Sequence, residues 1–425
     1  MLTLSIALIG LMLLRVPLFI VFLLSSLLYI GLFTSIPTNI VIQRTFSGLD
    51  KFPLMAVPMF ILAANVMAQG GMSARIIEFA KSLVSPLPGG LALATVVACM
   101  LFGAVSGSSP ATVIAIGSIM YPALLKSGYS SKFSVGLVSA SASASAIIPP
   151  SIGMIIYGTV ASVSIGQLFI AAVIPGILYG MMFMAYALAY CLWFDYRSDE
   201  AYRWAHIKRT FVQAIWALGV PVIIIGGIYG GIMTPTEAAA VGAVYTIFVA
   251  MVVYREIDFK KLLAISIDSA AVTAQIMILI GAASALSWLL TVERVPTEIG
   301  QWLTGAMSSK IAMLLMINLI LIVAGMFLDP TSVTVIFAPL FLPIAQVIGV
   351  DPIHLGIIIL VNGALGMFTP PFGFNLFVAS SLFKQPMVRL AAAVFPFIIL
   401  TLVVVLIVTF VPPVSLWLPQ TLGMR

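Results

Sequence analysis

Two stretches of this sequence hold polar atoms that could do chemistry in an otherwise apolar chain. Residues 103–118 read GAVSGSSPATVIAIGS, with Ser106, Gly107, Ser108 and Ser109 in a row ahead of Pro110. Residues 133–163 form an apolar run interrupted by Ile147, Ile148, Pro149, Pro150 and Ser151. Consecutive prolines remove two amide donors and unwind a helix, leaving carbonyls without their usual partners. Such carbonyls, with nearby hydroxyls, can meet a cation, and amides at a helix start can meet a carboxylate. The apolar arms flanking the Ser-Gly tip cover residues 91–102 and 111–125, which is 12 and 15 residues. A membrane span needs ~20 apolar residues, so each arm is short. Two short arms around a polar tip predict a re-entrant hairpin, the alternative being an ordinary helix pair joined by a Ser-Gly turn. Exposed backbone at that depth is tolerated only inside protein or along a wet cavity. Ser109 is placed to cap the second arm, with Pro110 at its first helical position.

The elements that must position these atoms are membrane helices. Of 425 residues, 62% are hydrophobic and 8% charged, against about 25% charged in soluble proteins. The chain reads as an all-α polytopic membrane protein. Its first apolar run has no basic flank and no small-residue cleavage site, so no cleavable signal peptide is expected. Cys99 and Cys191 lie in apolar runs and read as packing residues, not a disulfide or metal site. The net charge of +6 is carried by loop Lys and Arg and does not indicate a nucleic-acid partner.

Residues 1–33 read as one kinked span or two short ones, broken at Arg15 and Pro17. Full spans are expected at 53–68, 168–194, 211–229, 237–254, 270–292 and 386–411. Residues 36–52 and 255–267 read as amphipathic arms lying on a membrane surface, and 70–88 and 293–309 as interfacial.

The beginning recurs in the second half. Apolar arms at 311–328 and 332–348 surround Gly325, Asp329, Pro330 and Thr331, and the run 353–382 is broken at Gly366, Met367, Phe368, Thr369, Pro370 and Pro371. Pro110 to Pro330 is 220 residues and Pro149 to Pro370 is 221. Asp329 precedes Pro330 as Ser109 precedes Pro110, and both are good N-cap types. Paired interrupted helices in two halves are the signature of a secondary transporter.

If the first hairpin enters from the cytoplasm, Arg44, Lys51, Arg294, Lys310 and Arg425 fall outside and Arg15 near the membrane. The other thirteen of nineteen Lys and Arg fall inside, as the positive-inside rule requires. The two halves are then inverted relative to each other.

With these residues in view, the chain resembles the large membrane subunit of a tripartite ATP-independent periplasmic (TRAP) transporter of the dicarboxylate and sialic acid type. The resemblance covers essentially the whole chain. It rests on LFGAVSGSSPATVIAIGS, IIPPSIGMIIYG, GGIYGGIMTPTEAAAVGAVY, DPIHLGI and GMFTPPFGFNLFVAS. It implies two inverted repeats, each with a re-entrant hairpin and a broken helix, and an elevator-type transport domain. It further implies sodium-coupled uptake of an organic acid across the bacterial inner membrane, with a small membrane subunit and a periplasmic substrate-binding protein as partners. Many members have an acidic residue two after the position of Asn362. Here that position is Ala364, which leaves the substrate open.

Sodium prefers oxygen ligands. A first site is expected between Ser106 and Ser108 and the break at Ile147, Ile148 and Pro149. A second is expected between Gly325, Asp329 and Thr331 and the break at Gly366, Met367 and Thr369. Substrate would lie between the tips, near Ser108, Ser109, Pro150, Ser151, Asn362 and Pro370. Each assignment has a structural alternative. The hydroxyls could satisfy loose backbone ends, Asp329 could be a plain N-cap, and Asn362 could serve interhelical packing. No Arg or Lys lies in either hairpin tip or break, so amides and hydroxyls would meet the carboxylate. Glu237 reads as a capping residue after Thr234, Pro235 and Thr236.

Six segments follow. Residues 1–87, 166–272 and 385–425 form a scaffold, and 88–165 and 310–384 form the two halves of the transport domain. Residues 273–309 hold a span and an interfacial stretch. An intramembrane serine protease is disfavoured, because Ser106 has no histidine base: His206 is in a loop and His354 near an interface. A channel fits interrupted, inverted helices less well than alternating access does. No ATP-binding motif is present. A stand-alone ion-coupled carboxylate carrier is the alternative to the three-part system.

Overall fold

The computed structural model describes all residues except 1, 15, 197–202, 296–297, 299–308 and 424–425. Arg15, and most of the interfacial stretch expected at 293–309, fall outside the described residues. The described regular structure is helical, and eight helices are long and apolar enough to cross a membrane.

The N-terminal run is two helices, α1 (Leu2–Leu13) and α2 (Leu18–Phe33). The first arm is α3 (Asn39–Leu49), buried at Val41 and Gly48 and exposed at Ile42 and Phe46. A 3-10 turn (Phe52–Met55) leads into α4 (Ala56–Gln69), followed by α5 (Met72–Val84).

The first hairpin pairs α6 (Gly90–Ser106) with α7 (Ser109–Lys126). Small and hydroxylic residues continue both helices past the apolar runs, so the arms have 17 and 18 residues. At ~1.5 Å per residue that is about 26 Å. Next come α8 (Ser131–Ser141), a 3-10 turn (Ala142–Ala146), the break, and α9 (Ile152–Ala161). Beyond them lie α10 (Ile165–Ala171), α11 (Val173–Trp193), α12 (Trp204–Tyr229) and α13 (Pro235–Phe248). Helix α13 opens with the expected capping box: Thr234 Oγ1 accepts from Glu237 N, and Glu237 Oε2 accepts from Thr234 N at 2.8 Å.

The second arm and the span after it, read separately from the sequence, are one helix, α14 (Phe259–Val292) of 34 residues. Asp268, with Ser266 and Ser269, interrupts the apolar run without interrupting the helix. Asp268 is exposed, and the serine hydroxyls bond back to the Leu262 and Ile265 carbonyls.

The second hairpin is α15 (Lys310–Phe327) and α16 (Pro330–Val347). Helix α17 (Pro352–Gly366) starts at Asp351, which caps the Ile353 and His354 amides. After the second break come α18 (Phe374–Phe383), α19 (Met387–Phe410) and α20 (Pro413–Thr421). Both breaks contain a cis Pro-Pro bond, Pro149–Pro150 and Pro370–Pro371.

Packing sorts the helices into two groups. The hairpins and broken helices interlock: α7 lies on α18, and α16 lies on α9. Helices α11 and α19 lie against this set, α11 on α6 and α19 on α8, α17 and α18. Helices α2, α3, α4, α5, α12, α13 and α14 form the other group, with α13 on α4, α12 on α5 and α14 on α2, α3 and α4. The groups meet most extensively where α5 packs on α6, and also where α4 touches α6, α7 and α9, where α5 touches α7 and α12 touches α6, and where α14 touches α16. Among the hydrogen bonds between described residues, one from a side chain joins the groups: Lys51 Nζ donates to the Thr159 carbonyl at 3.1 Å.

Candidate functional site

The tip of the first hairpin is a left-handed turn at Gly107 (φ +55°) followed by extended Ser108. Ser108 occupies the cap position, one residue before the expected Ser109, and its side chain makes no capping bond. Ser109 is instead inside the helix, and its hydroxyl donates to Asn375 Oδ1 at 2.9 Å. The Asn375 amide also donates to the Ser139 carbonyl at 3.0 Å, so one buried side chain ties α18 to α7 and α8. Asn375 carries no signal in the sequence that singles it out, because its partners lie over 200 residues away.

The Ser106 hydroxyl lies 3.2 Å from Thr112 Oγ1 and 3.4 Å from the Ser108 carbonyl, and Thr112 Oγ1 donates to that carbonyl at 2.9 Å. Ser106 and Thr112 are fully buried. Thr112, one turn into α7, was not singled out from the sequence. The i, i+4 spacing from Ser108 is the signal that could have found it.

This tip presses on the break of its own half. A Cβ on Gly107 would lie 2.9 Å from the Pro150 carbonyl, and one on Gly103 would lie 2.8 Å from the Ser145 Cα. Only glycine permits that approach, and the first position also needs its positive φ. The tip therefore sits level with the middle of a helix pair that runs from residue 131 to 161. In the break, the Ile147 and Ile148 amides share the Ala144 carbonyl, and Ser151 Oγ donates to the Ala146 carbonyl. No described hydrogen bond ends on the Ile147, Ile148 or Pro149 carbonyls. Free buried carbonyls need a partner, and the Ser106–Ser108 tip lies against the next residues of the same break, Pro150 and Ser151.

The second half repeats the contact with different internal bonding. A Cβ on Gly366 would lie 2.7 Å from both the Cα and the carbonyl oxygen of Gly325. Asp329 caps α16 as its sequence position predicts, accepting from the Thr331 and Ser332 amides at 2.9 and 3.1 Å and from the Ser332 hydroxyl. Carbonyls in the break are also engaged. Gly366 O accepts from Thr369 N, Met367 O from Asn375 N, and Thr369 O from Gly373 N. The Thr369 hydroxyl donates to the Leu365 carbonyl at 2.6 Å. Each carbonyl keeps a second lone pair, so this set is mostly satisfied, whereas the first is open.

Of the expected substrate residues, Ser108 and Pro370 are half-buried and Ser109 and Ser151 are buried with their hydroxyls engaged. Asn362 is fully buried. Its amide donates to Asn318 Oδ1 at 2.7 Å and to the Ile358 carbonyl, while its own Oδ1 has no hydrogen-bond partner among the described residues. Asn318 continues to Thr409 at 3.1 Å, joining α15, α17 and α19.

Residues 5–414 match the family model of the tripartite ATP-independent periplasmic transporter, DctM component. The chain belongs to this family. It is 40% identical to the C4-dicarboxylate TRAP transporter large permease protein DctM of Rhodobacter capsulatus, over 98% of each protein. It is 43% identical to the isethionate TRAP transporter permease protein DctMQ of Oleidesulfovibrio alaskensis over 90% of this chain, which spans 60% of that protein. It is also 40% identical to the ectoine/5-hydroxyectoine large permease protein UehC of Ruegeria pomeroyi, over 90% of this chain and 89% of that one. The fold is shared with the YdaH transporter of Alcanivorax borkumensis, at TM-score 0.61 and 14% identity over 89% of this chain and 90% of that one. This TRAP large subunit is thus an integral inner-membrane transport protein and not an enzyme.

Proposed function

We propose that this large TRAP subunit carries a small organic acid across the inner membrane, driven by sodium. The carboxylate comes from a periplasmic binding protein, and a small membrane subunit completes the complex. The observation that supports this most is the first tip: the Ser106, Ser108 and Thr112 oxygens lie on a turn packed against Pro150 and Ser151, next to Ile147, Ile148 and Pro149, on whose carbonyls no described hydrogen bond ends. Sodium fits such a set, since carbonyl and hydroxyl dipoles can replace the oxygens of its hydration shell. A second sodium lies between Gly325, Asp329 and Thr331 and the carbonyls of Gly366, Met367 and Thr369. Substrate sits between the tips, against Ser108, Ser109, Pro150, Ser151 and Pro370, with Asn362 supporting the second break from behind. The names of related permeases specify C4-dicarboxylate, isethionate and ectoine, and the carboxylates among these are the class to test first.

The moving unit comprises both hairpins and both broken helices, together with α11 and α19. It slides as an elevator past the group containing α3, α4 and α14. Uptake into liposomes by the three-part complex, measured against external sodium, tests the reading. Steep sodium dependence is expected, while full uptake in sodium-free buffer under a proton gradient refutes it. Full uptake by the large subunit alone with free substrate would favour a stand-alone carrier.

A further inference from the structure

We propose that a cationic cavity between arm α3 and the hairpin unit is an anion-binding vestibule, which receives the carboxylate of a small organic anion before it reaches the tips. The cavity holds about 290 Å³ and is lined by Arg44, Lys51, Ser284, Ser287, Trp288 and Thr291 on one side and by Val160, Val335 and Pro339 on the other. Ligand pockets start at roughly 300 Å³, so the space suits a small molecule. The first wall belongs to the α3–α14 group and the second to α9 and α16, so the cavity lies at the boundary of the two groups.

Its charge is one-sided. Arg44 stacks on the Trp288 ring, 5.0 Å from its centroid. Lys51 spends its ammonium on a neutral carbonyl, that of Thr159. Neither is paired with a carboxylate among the described residues. Asp50, adjacent to Lys51, is not part of the lining, and Glu293 accepts from the Tyr29 hydroxyl. Two uncompensated cations in a recess with apolar walls focus a positive potential. The Ser284, Ser287 and Thr291 hydroxyls add neutral donors, while Trp288, Val335 and Pro339 offer apolar contact to a short carbon body. Both tips lack Lys and Arg, so this is a place where a carboxylate meets full positive charge on its way to them. The charge distribution of the sequence puts Arg44 and Lys51 on the outer face. The Lys51 ammonium has three donors, so it can meet an anion while its bond to the Thr159 carbonyl stays in place.

The inference rests on the organic-anion reading above, and its test is independent of uptake. Ser287→Cys is introduced with Cys99 and Cys191 replaced. The same variant is also run with them retained, since both are fully buried. Reaction from outside is timed with a sulfonate-bearing methanethiosulfonate and with its trimethylammonium counterpart. The anionic reagent should react about tenfold faster or more, as electrostatic steering allows, and the ratio should shrink with added salt. Arg44→Gln with Lys51→Gln should bring the ratio near one, and Lys51→Arg should preserve it. Equal rates in the parent, or a ratio unmoved by the double substitution, would overturn the proposal. So would a preference seen in phosphatidylcholine vesicles but lost in phosphatidylglycerol vesicles, because a lipid headgroup would then fill the cavity. Failed uptake with the preference intact would count against the organic-anion reading alone.

Discussion

Gly325 and Gly366 meet backbone to backbone, the first at the end of one hairpin arm and the second at the end of the first segment of the broken helix. A methyl group on Gly366 would come within 2.7 Å of the Gly325 Cα and carbonyl oxygen, and one on Gly325 would lie 3.1 Å from the Gly366 Cα. Neither backbone can yield as a flexible side chain would. Gly366→Ala should therefore lower stability by about 1–3 kcal/mol, the usual range for overpacking, and reduce uptake at least tenfold. Gly325→Ala should be the milder change. Denaturation of the purified subunit in detergent, alongside liposome uptake, checks both. Unchanged stability and rate in Gly366→Ala would show that the hairpin and the break do not stay together.

Asn375 joins α18 to Ser109 and to the Ser139 carbonyl, all of them buried. Asn375→Ala leaves a hydroxyl and a carbonyl without partners, which costs about 1–3 kcal/mol. Ser109→Ala should cost less, because Asn375 keeps its bond to Ser139. A double-mutant cycle between the two should give a coupling above ~0.5 kcal/mol. Additive effects would mean the Ser109–Asn375 bond contributes nothing to holding the halves together.

Asp329 has its carboxylate turned to the start of α16, where it accepts from two amides and a hydroxyl. Asp329→Asn should keep the cap, with stability and sodium dependence close to the parent. Asp329→Ala should lose about 0.5–2 kcal/mol and weaken the response to sodium. If Asp329→Asn abolishes the sodium dependence while folding normally, the negative charge itself is the ligand.

The elevator reading makes a geometric demand on the two groups of helices. Ser284 on α14 and Val160 on α9 line opposite walls of one cavity. Ser284→Cys with Val160→Cys, joined by a short bifunctional thiol reagent, should stop uptake and leave the folded state intact. Reduction of a cleavable linker should restore it. Uptake at the parent rate with the link closed is incompatible with sliding at this boundary.

The parts of the fold legible in the sequence are those with local causes. Pro110, Pro330, Asp329, Asp351 and the Thr234–Glu237 box each mark a helix start through bonds made within three residues, so spacing alone locates them. The Pro-Pro pairs mark both breaks for the same reason. Residue contacts that cross the chain left no such mark. Asn375 reads as one polar residue in GFNLFVAS, and its role comes only from Ser109 and Ser139. Polarity at residues 266–269 of α14 looks like a boundary in the sequence, whereas hydroxyls bonded to their own helix tolerate the change from arm to span. Helices α11 and α19 look like any apolar span, and nothing in their composition says which group they pack against. At the candidate site, the glycines and serines of the first tip were legible as types. The contrast between its free carbonyls and the engaged ones of the second break was not, because bonding within a break depends on how the chain turns through it.

The crossed packing of the halves also sets a timetable for synthesis. Asn375 is made 266 residues after the Ser109 it bonds. At roughly 5–20 residues per second of translation, that interval is on the order of 10–50 s. For most of it the first hairpin has its own half's break to lean on but not α18, and α9 waits for α16 until residue 347 is made. Neither half can reach its final packing as it leaves the ribosome. The unit that holds the tips closes only when the second half has entered the bilayer, so its completion is a late, post-insertion event.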